Sequence, residues 1–455
     1  MRIWSRLAIL LAAVTVGVTA HSQDPLRWPD EISLAVNDLE LADSAPHPAS
    51  DDTDSAGDLR LMELETSLYQ LQSEVEDLGD SITLTTRDKD WKVTAFGALA
   101  GEIIYAEQRA VIPSAVLFLT PSGGRNTPTI DVHGKQSSLG LELQGPEICG
   151  MQSGGFVLTY FYGESLLEDQ QGLFIPRGYA ELKNEDWRFA AGALGDIINP
   201  RIPGSLDFVT GQGGGNLGAF RGQFRAERYY HFDENAQLTV QTGLGNPLTT
   251  SFVGDIRTLV EDNGWPNLES RIMLGLGPLT QRGPLKMRPF EIAMSGLVGQ
   301  IRRTGAELTI FDVWAIGADA RIELSEWCGV KAEAFHGQAL GNYNAAVLQI
   351  FNPVTLEAVP TTGGWCELYV NWTDSLHSHL GFGIDDPRNA SLSPGMRSRN
   401  QFSFVNLIWD ATKSLDIGVE LGRYETDYMP GAMIGPLPVL DNEALVYRTR
   451  VRLKF

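Results

Sequence analysis

The residues with chemistry to offer are cations recurring at every second position. Arg221 and Arg225 share one face of segment 219–230 with Gln223, Glu227 and Tyr229, while Phe224, Ala226 and Tyr230 take the other. Arg448, Arg450, Arg452 and Lys454 alternate with Tyr447, Thr449, Val451, Leu453 and the last residue, Phe455. Arg177 and Lys183 share a face with Glu181, and Arg201 lies in stretch 196–218 with Asp196, Asp207 and the glycines from Gly204 to Gly215. Such cations make and break no covalent bonds. Beside a wet passage they replace the hydration that an anion loses on entry, and Asp196 and Asp207 opposite them would shape a transverse field. The plainer reading of each is a generic lumen wall.

Bond-making chemistry finds little support. Hydrolysis needs a nucleophile, a base and an orienting group within hydrogen-bond reach, and no serine motif stands out. His377 and His379 share a strand face, but no third metal ligand accompanies them in sequence. Neither a catalytic residue nor a metal or cofactor is expected. The three cysteines, Cys149, Cys328 and Cys366, fall in places that predict free thiols.

These cations need strands to hold them. From Trp91 the apolar period is 2, and about 16 segments of roughly 8–13 residues follow, near the length of a tilted membrane strand. Tight polar connections (Asn184–Asp186, Glu326–Trp327, Thr373–Ser375, Thr412–Lys413) alternate with long Gly/Pro-rich stretches at 106–132, 196–218, 245–268, 338–362 and 427–443. Tyr and Trp cluster at segment ends, as at Tyr105, Trp187, Trp327, Trp365, Trp372, Trp409 and Tyr424, which suits aromatic girdles. Cations opposite the apolar face of 445–455 cannot face lipid cheaply (about 2–4 kcal/mol each at the midplane), so they must face a wet lumen or the periplasmic rim. The expected fold is an all-β transmembrane, 16-stranded antiparallel up-and-down barrel over 91–455.

What precedes the barrel differs. Residues 1–20, with Arg2, Arg6, an apolar core from Leu7 to Val18 and small residues ending at Ala20, read as a signal peptide. Residues 21–58 read as an acidic disordered linker. Over 59–84 the series Leu61, Leu64, Leu68, Leu71, Val75, Leu78, Ile82 is a heptad repeat, predicting a short α-helical coiled coil in the periplasm.

Four stretches carry a resemblance. His133–Gly140 resembles the Gln-Ser-Arg-Leu-Gly segment of the DcaP-like trimeric outer-membrane porins, with Ser138 where that family has arginine. Pro176–Ala180 resembles its Arg-x-Arg-x-Ala-Tyr-type strand, Gly192–Phe208 its inward third loop, and Arg221–Arg225 the Arg-x-x-x-Arg strand that follows. Phosphate-selective porins are a near neighbour. The resemblance implies a homotrimer of 16-stranded barrels in the bacterial outer membrane, with a basic constriction passing small anionic solutes, dicarboxylates above all.

Composition narrows the alternatives. Apolar residues make up 43% and charged residues 20%, enough to bury a core. The net charge of −22 argues against nucleic acid as a partner. Residues 24–90 hold 18 acids and 4 bases, so more than half the acidity lies outside the barrel. Two other readings remain: a structural anchor tethering the outer membrane to the cell envelope through the coiled coil, and a barrel enzyme.

Overall fold

Period-2 patterning gives each strand one apolar and one polar face, and closing the sheet on itself sends the apolar faces outward. The computed structural model describes residues 82–85, 91–162, 172–248, 260–282, 285–304 and 309–455. Its long strands are β1 Lys92–Ala106, β2 Thr129–His133 with Ser138–Ile148, β3 Met151–Tyr160, β4 Phe174–Lys183, β5 Trp187–Gly195, β6 Phe220–Asp233, β7 Ala236–Gly245 and β8 Asn267–Leu276. They continue as β9 Phe290–Arg303, β10 Ile310–Ser325, β11 Cys328–Gln338, β12 Pro360–Thr373, β13 Leu376–Pro387, β14 Arg397–Thr412, β15 Leu415–Tyr428 and β16 Asn442–Lys454. Each pairs antiparallel with its sequence neighbour, and β16 pairs with β1, closing a 16-stranded barrel. The seam ends where Phe455 and Gly97 exchange backbone hydrogen bonds of 2.9 and 3.0 Å.

The outer wall is apolar. Leu99, Ile103, Phe224, Ile272, Met294 and Leu380 are all exposed. A large exposed apolar surface is unfavourable in water and suits hydrocarbon. Trp187, Trp327, Trp372 and Trp409 stand exposed beside short turns, as a girdle requires, but Trp365 and Tyr424 do not. Both point inward, where the Trp365 indole donates to Glu333 and the Tyr424 hydroxyl to Asp207.

Turn chemistry explains the short end. Cys149 and Gly150 both have positive φ, 54° and 77°, the geometry of a two-residue hairpin turn whose twist matches the strands. At the other end, long loops fold into the barrel. Leu117 and Phe118 of the first loop (107–128), Ile198, Val209 and Leu217 of the third (196–219), and Leu340, Tyr343 and Val347 of the sixth (339–359) form an apolar core with wall residues Phe311, Val313 and Phe335.

Two details depart from simple alternation. β2 is interrupted at Gly134–Ser137, which swings Gln136 inward. In β4 one extra residue lies between Phe174 and Arg177 relative to β3, since Leu158 pairs with Arg177 but Tyr160 with Phe174. This bulge, at Ile175–Pro176 where proline offers no N–H, turns Phe174 into the lumen beside Arg177.

The helix expected over 59–84 is corrected at its end. Ile82–Thr85 form a strand antiparallel to β1, with Ile82 opposite Ala95. Edge pairing on an existing sheet satisfies backbone groups that a final helical turn leaves open. The signal peptide, the linker and the remaining heptads lie outside the described residues.

Candidate functional site

An irregular loop inside a barrel carries backbone N–H groups that need acceptors. For the third loop, wall carboxylates supply them. Glu269 on β8 accepts from the N–H groups of Ile197 (2.6 Å) and Ile198 (3.2 Å). Glu333 on β11 accepts from Arg201 N–H, Glu367 on β12 from Gly204 N–H, and Glu420 on β15 from Leu206 N–H at 2.6 Å. Hydrogen bonds to charged groups contribute about 1.5–3 kcal/mol each, so the loop is strapped along the wall from β8 to β15. None of these four glutamates stood out in sequence. The available signal was their place on lumen-facing positions of their strands.

Most of the lumen cations are matched by the same logic. Arg221 grips Asp196 through two hydrogen bonds, 2.5 and 2.9 Å, and lies 3.8 Å from the Tyr343 ring centroid. Burial pushes the Tyr343 phenol well above its ordinary value, so it stays a neutral donor to Glu269. Arg201 bonds Asp319 at 2.7 Å and Glu291 at 3.1 Å. Asp319 also takes Arg271, and Glu291 takes Arg321. Arg225 donates to the Gly195 carbonyl and Gln223 and lies 3.6 Å from Glu227. Lys183 pairs with Glu181 at 2.6 Å. Arg448 reaches Asp207 at 2.8 Å, Glu102 at 3.5 Å and Glu420 at 3.8 Å. Asp416 faces Arg452 at 2.8 Å, Lys454 at 3.5 Å and Arg450 at 4.0 Å. Asp196 and Asp207 therefore sit in direct ion pairs rather than standing across a gap from the cations.

A fork-shaped pair such as Arg221–Asp196 does not tolerate a point charge. Arg221→Lys is expected to lower stability by about 1–3 kcal/mol. The check is the temperature at which the detergent-solubilised barrel loses its compact electrophoretic mobility, and an unchanged temperature contradicts it.

Between the third loop and the wall of β2–β4 lies a cavity of about 120 Å³. Arg177, Arg201, Arg450, Arg452 and Asp196 all line it. Arg221, Arg225, Arg448, Lys183 and Asp207 do not. Gln136, from the interruption in β2, ties the cavity together: its amide donates to Glu102 (2.7 Å) and the Leu206 carbonyl (2.9 Å), and its oxygen accepts from Arg450 (3.1 Å). Ser138 also lines it.

No family model matches the chain, and no curated protein does. Among solved structures, it is similar to the outer membrane channel DcaP of Acinetobacter baumannii, with 18% identity and a TM-score of 0.62 over 82% of this chain and 99% of that one. An anion-selective porin from Comamonas acidovorans aligns at 11% identity and a TM-score of 0.50, over 80% and 100% of the two chains. OmpF of Salmonella typhi, in complex with daunomycin, aligns at 9% and 0.50, over 82% and 100%. The resemblance read from four sequence stretches thus meets a likeness of the whole barrel. The chain has the fold of an outer-membrane channel, a closed 16-stranded barrel like that of DcaP.

Proposed function

We propose that this chain is a porin of the bacterial outer membrane, passing small anionic solutes by passive diffusion. It works as a homotrimer surrounded by outer-membrane lipid, with its N-terminal coiled coil in the periplasm. One observation carries the reading: four arginines and one aspartate line the cavity beside the strapped loop. Guanidinium groups in such a passage favour anions. No step of this transport calls for catalysis or a cofactor.

The reversal potential of the purified protein in a planar bilayer under a KCl gradient tests it. Anion preference is expected. Cation preference overturns the solute class. Absence of conductance overturns the porin reading in favour of a second one, that of an envelope anchor. That second reading is favoured by the apolar core that three loops build inside the barrel.

A further inference from the structure

We propose that the Arg177 corner of the cavity is a binding site for small amphipathic monocarboxylates, an apolar body bearing one carboxylate. The proposal deepens the porin reading and rests on it for the route of entry.

Arg177 is only 4% exposed and faces the cavity. Among the described residues, no carboxylate pairs with its guanidinium, which lies 5.7 Å from the Phe220 ring and within electrostatic reach of the Tyr179 and Tyr160 phenols. That sets it apart from its neighbours: Arg221 holds Asp196, Arg188 holds Glu181 and Glu227, and Arg225 has Gln223 and the Gly195 carbonyl. A cation desolvated without a counter-ion is costly. In this barrel, where carboxylates or backbone carbonyls accept from the other buried arginines, an arginine left over and aimed into a cavity is explained by an anion that comes and goes.

The surroundings narrow the ligand. Leu158, Tyr160, Phe174, Phe208 and Phe220 line the same cavity. Phe174 and Phe220 meet edge to face at 6.3 Å, an arrangement that depends on the β4 bulge turning Phe174 inward. A carboxylate can take the guanidinium fork in two parallel bonds, and an apolar body then covers the aromatic collar. A second carboxylate on the same small molecule would have to be desolvated against that aromatic collar. Arg201 already holds Asp319 and Glu291, and Arg450 and Arg452 already face Asp416. The preference is therefore for monocarboxylates over the dicarboxylates that the family resemblance implies.

Benzoate and succinate are the probes, used with the full-length protein. Titration calorimetry in detergent is expected to show benzoate binding at least ten-fold tighter than succinate. Arg177→Gln should weaken benzoate at least ten-fold, Phe220→Ala should weaken it to a lesser degree, and Arg177→Lys should restore part of the loss. Compact electrophoretic mobility of each variant confirms that the barrel has folded. Equal or tighter binding of succinate overturns the ligand class, and unchanged benzoate affinity in Arg177→Gln overturns the site. In a bilayer, benzoate should also block the KCl current of the unmodified protein. Binding without any KCl current would sink the porin reading and leave the site standing, so the two failures are distinguishable.

Discussion

Arg448→Met is expected to destabilise the barrel by about 3–5 kcal/mol, the cost of removing one partner from a buried ion network. The guanidinium is the cation shared by Asp207, Glu102 and Glu420, and all four side chains are at most 1% exposed. Methionine fills similar length without charge, so the loss is electrostatic and not one of volume. Asp207 then loses its ion pair while still accepting from Tyr424 and from Val116 N–H, which ties the first loop to the third. Urea unfolding in detergent, followed by tryptophan fluorescence, reads the effect. A transition at the wild-type urea concentration would show that the network contributes nothing net.

Gly204→Leu should release the strap itself. The Gly204 N–H donates to Glu367, its carbonyl accepts from Asn406 at 2.7 Å, and a Cβ at this position would overlap the His379 ring. His379 has no room to retreat, since it is buried with Nδ1 2.9 Å from Glu367, which also holds Lys331 at 3.0 Å. Overpacking costs about 1–3 kcal/mol, and the loop escapes it more easily than the wall does. The expected result is a several-fold larger single-channel conductance with noisier open current. Conductance equal to that of the unmodified protein would mean that the loop keeps its path without this contact.

The two substitutions probe the level at which the sequence stops being legible. Inward orientation of Arg221, Arg225, Arg448, Arg450 and Arg452 follows from period-2 patterning within single strands, and the structure places them inside. What each meets there does not follow. Arg448 and Asp207 are 241 residues apart, and Arg201 and Asp319 are 118 apart. Such pairs exist only once the barrel has closed and the loop has crossed it.

The same limit explains the local misses. Strict alternation would set Phe174 on the face opposite Arg177, but a one-residue bulge reverses every side chain beyond it. The heptad pattern runs through Ile82, whereas β1 offers Ile82–Thr85 an open edge that no helical pattern encodes. Trp365 and Tyr424 look like girdle residues by type and spacing, yet their polar tips found Glu333 and Asp207 inside.

By itself, then, the sequence determined the strand count, the closing strand ending in Phe455, the alternation of short turns and long loops, and the polar lumen, because all of these are read from neighbouring residues along the chain. Only the tertiary structure decided that wall glutamates hold the third loop, that Asp196 and Asp207 neutralise arginines rather than oppose them across a gap, and that Arg177 remains without a counter-ion among the described residues. Charge matching in a barrel depends on which side chains face one another across the closed lumen, and that geometry comes into being only when the last strand meets the first.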